Sequence, residues 1–202
     1  MQKTNKIILI SGCPGTGKTT LALALGKELN IDQIISTDII RTILRSISSK
    51  QKNPFLFTVT HEAWKYFGEN NNENIWLGFL EHCKTLYAAV HYLINKSVEE
   101  GRDIIIEGAH LLPEFVRSLS KKYRITAFFL RVPQDKVLLG RFDMKNNKRL
   151  IPYSGWKNNF EIIRKIEDKI LLDSNPFFVI DNYSLDTTKK ICFSRIRNEN
   201  KV

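Results

Sequence analysis

The chain has 202 residues, 43% of them hydrophobic, which suits one globular domain with a buried core. No stretch approaches the roughly 18 apolar residues of a membrane span, and the first residues lack a signal-peptide pattern, so we expect a cytoplasmic protein without membrane contact. The formal net charge of +10 favours anionic partners, either phosphorylated metabolites or nucleic acid.

Strands and helices alternate along the first half of the chain. Short branched apolar runs predict buried strands, and apolar residues at helical spacing predict helices. In chain order these patterns predict a strand at 6–11, a helix at 18–29, a brief strand at 34–36, a helix at 38–47 and a helix from Phe79 that Gly101 stops. Residues 50–74 are polar and aromatic, so we expect an irregular segment there with a short helix around 62–67.

The second half continues the alternation. It predicts strands at 103–107, 125–130 and 177–180, helices at 134–149 and 160–172, and a short helix from Leu185. Strands that alternate with helices favour a parallel sheet covered on both faces. The expected fold class is therefore α/β, with a five-stranded parallel sheet between two helical layers.

A phosphate-binding motif follows the first predicted strand. Residues 12–19 read GCPGTGKT and match G-x-x-x-x-G-K-[ST] between a strand and a helix, the context that this motif requires. Its glycines let backbone N–H groups point at phosphate oxygens, and the following helix adds its dipole. We expect ATP here, with Lys18 on the β- and γ-phosphates and Thr19 on Mg²⁺. The predicted nucleotide-binding residues are Gly12, Cys13, Pro14, Gly15, Thr16, Gly17, Lys18, Thr19 and Thr20.

The three cysteines fit neither a disulfide framework nor a metal site. Cys13, Cys83 and Cys192 are far apart and odd in number, as is typical of a reducing compartment. Cys13 lies inside the phosphate-binding loop, where we interpret it as a tolerated small residue rather than a redox sensor.

The second predicted strand ends in an acidic and a basic residue that share a helix face. Asp38 and Arg41 are three apart at the start of a helix. The carboxyl ends of parallel strands meet at the ligand crevice, where an acid can accept a proton from an attacking hydroxyl. A guanidinium beside it can bind a phosphate or carboxylate. We expect both residues to act in catalysis and acceptor binding.

The third predicted strand ends at a carboxylate. Glu107 closes a buried apolar run, and a carboxylate there commonly holds Mg²⁺ through water in P-loop enzymes. His110 follows it, and it either contacts the substrate in the same crevice or packs, hydrogen-bonded, beneath the next helix.

A basic stretch follows the fourth predicted strand. We expect a lid over about residues 134–152, with Arg141 and Arg149 neutralising the charge that spreads over the transferred phosphoryl group. A solvated basic helix is the alternative.

Together these segments resemble the archaeal-type 2-phosphoglycerate kinase family of P-loop kinases. The likeness extends over nearly the whole chain, and "ISTDIIR" and "IEGAHLLP" are its more specific parts. It implies a nucleoside-kinase-like core within a single domain at 1–202, a short lid, and transfer of the ATP γ-phosphate to the 3-hydroxyl of 2-phosphoglycerate, which gives 2,3-bisphosphoglycerate. It also implies nucleotide and Mg²⁺ roles for Lys18 and Thr19, and acceptor-side roles for Asp38 and Arg41.

Three alternatives to this acceptor stay open. The first is a kinase of another small anionic alcohol, such as a sugar acid. The second is a kinase of a charged tRNA, since seryl-tRNA kinases also carry a D-x-x-R pair after the P-loop and a positive charge suits a polyanion. Against it, we see no appended RNA-binding domain and no base-stacking motif. The third is a non-catalytic nucleotide-binding regulator.

Overall fold

The computed structural model describes residues 5–199 and contains a five-stranded parallel sheet. The strands are β1 (Ile7–Gly12), β2 (Gln33–Ser36), β3 (Ile104–Glu107), β4 (Ile125–Arg131) and β5 (Phe178–Asp181). Their order in the sheet is β2-β3-β1-β4-β5, which confirms the expected parallel sheet.

Helices cover both faces of the sheet, as expected. The helices are α1 (Lys18–Leu29), α2 (Thr37–Ser46), α3 (Pro54–Phe57), a 3-10 helix (Thr60–Tyr66), α4 (Asn72–Glu99), α5 (Pro113–Ser120), α6 (Asp135–Asn147), α7 (Gly155–Asn158), α8 (Phe160–Leu171) and α9 (Leu185–Glu199). Alternate residues of β1 divide between two cores: Ile8 and Ile10 pack with α1 and α9, while Ile7 and Leu9 pack with α4, α5 and α8.

The structure differs from the expectation mainly around the long helix α4. That helix begins at Asn72, not near Phe79, because Asn71 Oδ1 accepts a hydrogen bond from Asn74 N at 2.9 Å and caps a polar, exposed first turn. The irregular segment before it contains α3 and the 3-10 helix. In addition, α5 and α7 were not predicted, and α9 is longer than the short helix expected there.

The pairing of the strands gathers the predicted site at one edge of the sheet. Glu107 at the end of β3 pairs with Ile10 of β1 on one side and Ser36 of β2 on the other. The P-loop follows β1 and α2 follows β2, so both start beside Glu107. Ligands of open parallel sheets bind at this carboxyl edge.

Within residues 5–199, none of the helices combines the length and the apolar character that a membrane crossing requires.

Candidate active site

The P-loop turns on three glycines with positive φ. Gly12, Gly15 and Gly17 have φ values of 140°, 78° and 94°, which side-chain-bearing residues rarely adopt. Space is short as well: a Cβ on Gly17 would lie 2.5 Å from Asn182 Nδ2, and one on Gly15 would lie 2.7 Å from Phe142 Cε1. Glycine is therefore required for two reasons: the turn needs positive φ, and α6 and Asn182 lie too close to the loop for a side chain.

The Lys18 side chain folds back over the P-loop. Its Nζ donates to Cys13 O at 2.9 Å, a neutral acceptor that a phosphate oxygen could replace. Burial lowers the pKa of Lys18, while the negative charge of Glu107 opposes that shift. The Cys13 thiol points the other way, toward Ile163 O at 3.6 Å, and burial raises its pKa. Cys13 thus packs as a small buried residue.

The two residues predicted to serve Mg²⁺ contact each other. Thr19 Oγ1 donates to Glu107 Oε1 at 3.0 Å, and Glu107 is 4% exposed. A hydroxyl and a buried carboxylate are oxygen ligands of the hard type that Mg²⁺ prefers. No group of three or more His, Cys, Asp or Glu side chains in residues 5–199 could hold a metal. A hydroxyl and a carboxylate suit an ion that keeps several waters and would take its other ligands from nucleotide phosphates.

A cleft of about 440 Å³ lies beside the P-loop. Asn182 Nδ2 donates to Thr16 O at 2.7 Å, and Arg141 Nη2 donates to Asn182 O at 2.8 Å, so both side chains are fixed against the loop. Asn182 was not among the predicted site residues, although a polar residue directly after β5 could have indicated it. Lys145 of α6 and Lys148 after it, which belong to the basic stretch of the predicted lid, also line the cleft. The cleft is lined by Gly15, Gly17, Lys18, Thr19, Thr20, Arg141, Met144, Lys145, Lys148, Asn182, Tyr183, Ser184 and Leu185.

Arg149 does not line this cleft. Its exposed guanidinium lies 5.5 Å from the ring centroid of Tyr153 and 5.4 Å from that of Trp156. Its Nε donates to Ile151 O at 3.2 Å. The structure thus brings Arg141 to the P-loop and leaves Arg149 outside, so the lid role of Arg149 stays a prediction.

Asp38 and Arg41 lie at the start of α2, on the carboxyl edge of the sheet. Ser36 Oγ accepts from Asp38 N at 3.2 Å and caps the helix. The Asp38 carboxylate is 74% exposed and lies 3.8 Å from Arg41 Nη1. The guanidinium is held by protein carbonyls, with Arg41 Nε donating to Leu56 O at 3.3 Å. Burial lowers the pKa of Arg41.

His110 is buried beneath this edge, with both ring nitrogens hydrogen-bonded. His82 Nδ1 lies 2.8 Å from Phe55 O, so that nitrogen must carry the proton. His82 Nε2 then accepts from His110 Nε2 at 3.1 Å, and His110 Nδ1 accepts from Thr37 Oγ1 at 2.6 Å. Burial lowers the pKa of both histidines. Because Phe55 O can only accept, it decides which ring nitrogens carry protons, and this sets the direction of all three hydrogen bonds.

Curated proteins of archaea are similar to this chain. The 2-phosphoglycerate kinase of Methanopyrus kandleri is 30% identical over 188 residues, which are 90% of this chain and 58% of the relative. That of Methanococcus vannielii is 30% identical over 204 residues, 95% of this chain and 64% of the relative. The resemblance inferred from the sequence is confirmed. The chain spans less than two thirds of the length of these relatives.

Solved structures share the fold at low sequence identity. A sugar kinase from Janibacter sp. HTCC2649 has a TM-score of 0.58 and 13% identity, with 96% of this chain and 95% of that chain covered. Shikimate kinase from Acinetobacter baumannii has a TM-score of 0.54 and 16% identity, with 98% and 96% covered. The family model described as "AAA domain" matches residues 8–171, which include the P-loop, α2, β3 and α6. By this match over most of its length, the chain belongs to the AAA domain family.

Proposed function

We propose that the chain is an ATP-dependent kinase that transfers the γ-phosphate of ATP to the 3-hydroxyl of 2-phosphoglycerate. The observation that carries the proposal is the contact between Thr19 and Glu107 beside Lys18, on the same sheet edge as Asp38 and Arg41. A nucleotide-phosphate site and an acid–base pair on one edge suit phosphoryl transfer better than nucleotide binding alone. The relatives, both named 2-phosphoglycerate kinase, support 2-phosphoglycerate as the acceptor.

On the nucleotide side, the P-loop would cradle the ATP phosphates. Lys18 would leave Cys13 O for a γ-phosphate oxygen, and Thr19 and Glu107 would hold Mg²⁺. When bound, the ion would neutralise charge on the β- and γ-phosphates. Arg141 would face the same phosphates from α6, which packs on Gly15.

On the acceptor side, Asp38 would orient the hydroxyl and take its proton. The hydroxyl oxygen would bond to the γ-phosphorus, the bond from that phosphorus to the bridging oxygen would break, and ADP would leave with the released electron pair. Arg41 would hold an anionic group of the acceptor. His110 would act as a positioning residue here, because Thr37 and His82 occupy its ring nitrogens.

We further propose that residues 1–202 act as one domain with a lid over about 134–152. The lid would bring Arg149 toward the transferred group when it closes. The three cysteines are free and buried, which supports a reducing cytoplasm as the working compartment.

The experiment is a screen of ATP consumption over phosphorylated and carboxylated small alcohols, with products identified by ³¹P NMR. We expect 2,3-bisphosphoglycerate from 2-phosphoglycerate. The Lys18→Ala variant is the blank that excludes a contaminating kinase. Turnover of another alcohol alone would reassign the acceptor, and nucleotide binding without turnover on any acceptor would favour a regulator.

A further inference from the structure

Two arginines of α2 converge on the same two backbone carbonyls. Arg45 Nε donates to Leu56 O at 2.7 Å and its Nη2 donates to Thr58 O at 3.0 Å. Arg41 uses the equivalent nitrogens on the same oxygens, with Nε at 3.3 Å from Leu56 O. Helical spacing places Asp38, Arg41 and Arg45 on one face of α2. Two guanidinium groups are therefore held side by side at the predicted acceptor site.

These two cations have little negative charge to balance them. In the part of the chain that the structure describes, no carboxylate hydrogen-bonds either guanidinium. Within residues 5–199, the one ion pair that either guanidinium forms is between Arg41 Nη1 and Asp38, at 3.8 Å, and that carboxylate is 74% exposed. Asp38 is also the only carboxylate of residues 5–199 whose charge raises the pKa of either arginine. Burial and then the charge of Arg45 lower the pKa of Arg41. An anion placed here would relieve the repulsion of two like charges.

The carbonyls that hold the two arginines belong to a fixed segment. Leu56 lies in α3 and Thr58 directly follows it, and Phe55 O of the same helix accepts from His82 of α4 at 2.8 Å. The histidine pair continues to Thr37 Oγ1, directly before Asp38. One chain of hydrogen bonds thus connects the start of α2 with the segment that positions both guanidiniums. The pair is preorganised before any ligand arrives.

We propose that Arg45 is a second acceptor-binding residue and that Arg41 and Arg45 together bind a phosphate monoester on the acceptor. This inference rests on the proposed function. One guanidinium matches the two oxygens of a carboxylate, whereas a phosphate has three terminal oxygens and a charge near −2 that two guanidiniums match. The site accordingly selects phosphorylated hydroxy acids over unphosphorylated ones.

The test compares two acceptors in steady-state kinetics at saturating Mg·ATP. In Arg45→Gln we expect KM for 2-phosphoglycerate to rise by about tenfold or more, with kcat within about threefold and KM for Mg·ATP unchanged. KM for glycerate, which lacks the phosphate, changes by less than about twofold. Arg124→Gln is the matched control and leaves all parameters unchanged. It removes an exposed arginine directly before β4, at the amino end of the strands and away from the site.

Two results overturn the inference: an unchanged KM for 2-phosphoglycerate, or an equal rise for both acceptors. Thermal unfolding checks that the variant is folded. If Arg45→Gln does not fold, Arg45→Lys replaces it, because it keeps the charge and loses the planar fork. It should raise KM for the phosphorylated acceptor selectively, and an unchanged KM again contradicts the proposal.

A binding measurement separates this inference from the proposed function. If the wild-type protein turns over no acceptor, the proposed kinase reaction fails, but the phosphate site can still be tested. Calorimetry then follows inorganic phosphate binding to protein whose P-loop is filled with Mg²⁺ and a non-hydrolysable ATP analogue. We expect saturable binding that Arg45→Gln loses and Arg124→Gln keeps. No binding to the wild-type protein overturns the inference.

Discussion

Thr19 Oγ1 donates a hydrogen bond to Glu107 Oε1 at 3.0 Å, across 88 residues of sequence. The bond joins the first turn of α1 to the carboxyl end of β3. It brings a hydroxyl and a buried carboxylate together beside Lys18. The negative charge of Glu107 raises the pKa of Lys18, against the lowering by burial. This arrangement is the basis of the predicted Mg²⁺ dependence.

Glu107→Gln should weaken the use of Mg²⁺. The amide keeps the shape and can still accept from Thr19, but it removes the negative charge. We expect the Mg²⁺ concentration for half-maximal turnover to rise about 10–100-fold, as for the loss of a supporting carboxylate. The measurement is turnover against free Mg²⁺ at saturating substrates. Glu28→Gln, at the far end of α1 and 53% exposed, is the control, and an equal response of both variants would contradict the assignment.

Lys18→Ala should lower turnover by about 10²–10³-fold without unfolding the protein, as expected for the loss of one charge-stabilising donor. The fold should survive because burial already disfavours the ammonium, so its removal relieves a desolvation cost. Turnover and the thermal unfolding midpoint are measured together. Lys27→Ala, in the last turn of the same helix, is the control. Near-normal turnover in Lys18→Ala would refute the P-loop role.

Arginine substitutions test the lid. Arg141→Ala and Arg149→Ala should each lower kcat more than they weaken Mg·ATP binding, because both groups are expected to act on the transition state. Arg141 already lines the cleft, whereas Arg149 requires closure of the lid. Direct nucleotide binding is measured beside kcat. If only nucleotide affinity changed, both arginines would be ground-state contacts.

The buried histidine pair should make stability depend on pH. Burial lowers the folded-state pKa of His82 and His110, so below about pH 6.5 the unfolded chain binds more protons than the folded one. The free energy of unfolding therefore falls as the pH falls, by about 1.4 kcal/mol per pH unit for each histidine. Above about pH 6.5 this contribution is constant.

His110→Gln should remove one of these contributions. Between about pH 6.5 and 5, the slope of unfolding free energy against pH should become shallower by about 1.4 kcal/mol per unit. Urea unfolding at several pH values measures the slope, and the exposed His91→Gln is the matched control. An unchanged slope in His110→Gln would mean that the histidine is not buried neutral.

The sequence predicted the P-loop and the sheet because their signals are local. Three glycines, a lysine and a threonine at fixed spacing follow a branched apolar run, and β1 and α1 form where these patterns lie. The Pro113 start of α5 was also a local signal, and it was overlooked. The capping residue Asn71 was another, since it sets the start of α4.

The sequence could not indicate contacts that tertiary packing creates. Arg45 reads as one more basic residue of an amphipathic helix until α3 brings Leu56 O to it. Asn182 contacts Thr16 across 166 residues, and His82 meets His110 from another helix. The position of Arg149 outside the cleft is also a result of packing, since its guanidinium lies over the rings of Tyr153 and Trp156.

Asp38→Asn tests the central claim most directly. The amide keeps the shape of the side chain and its exposed place 3.8 Å from Arg41, but it cannot take the proton of the acceptor hydroxyl. The measurement is the rate of 2,3-bisphosphoglycerate formation at saturating Mg·ATP with 2-phosphoglycerate varied, beside direct ATP binding. We predict that kcat falls by about 10²–10⁴-fold while acceptor KM and ATP affinity change little. Near-full turnover in this variant, or no 2,3-bisphosphoglycerate from the wild-type protein, would contradict the account.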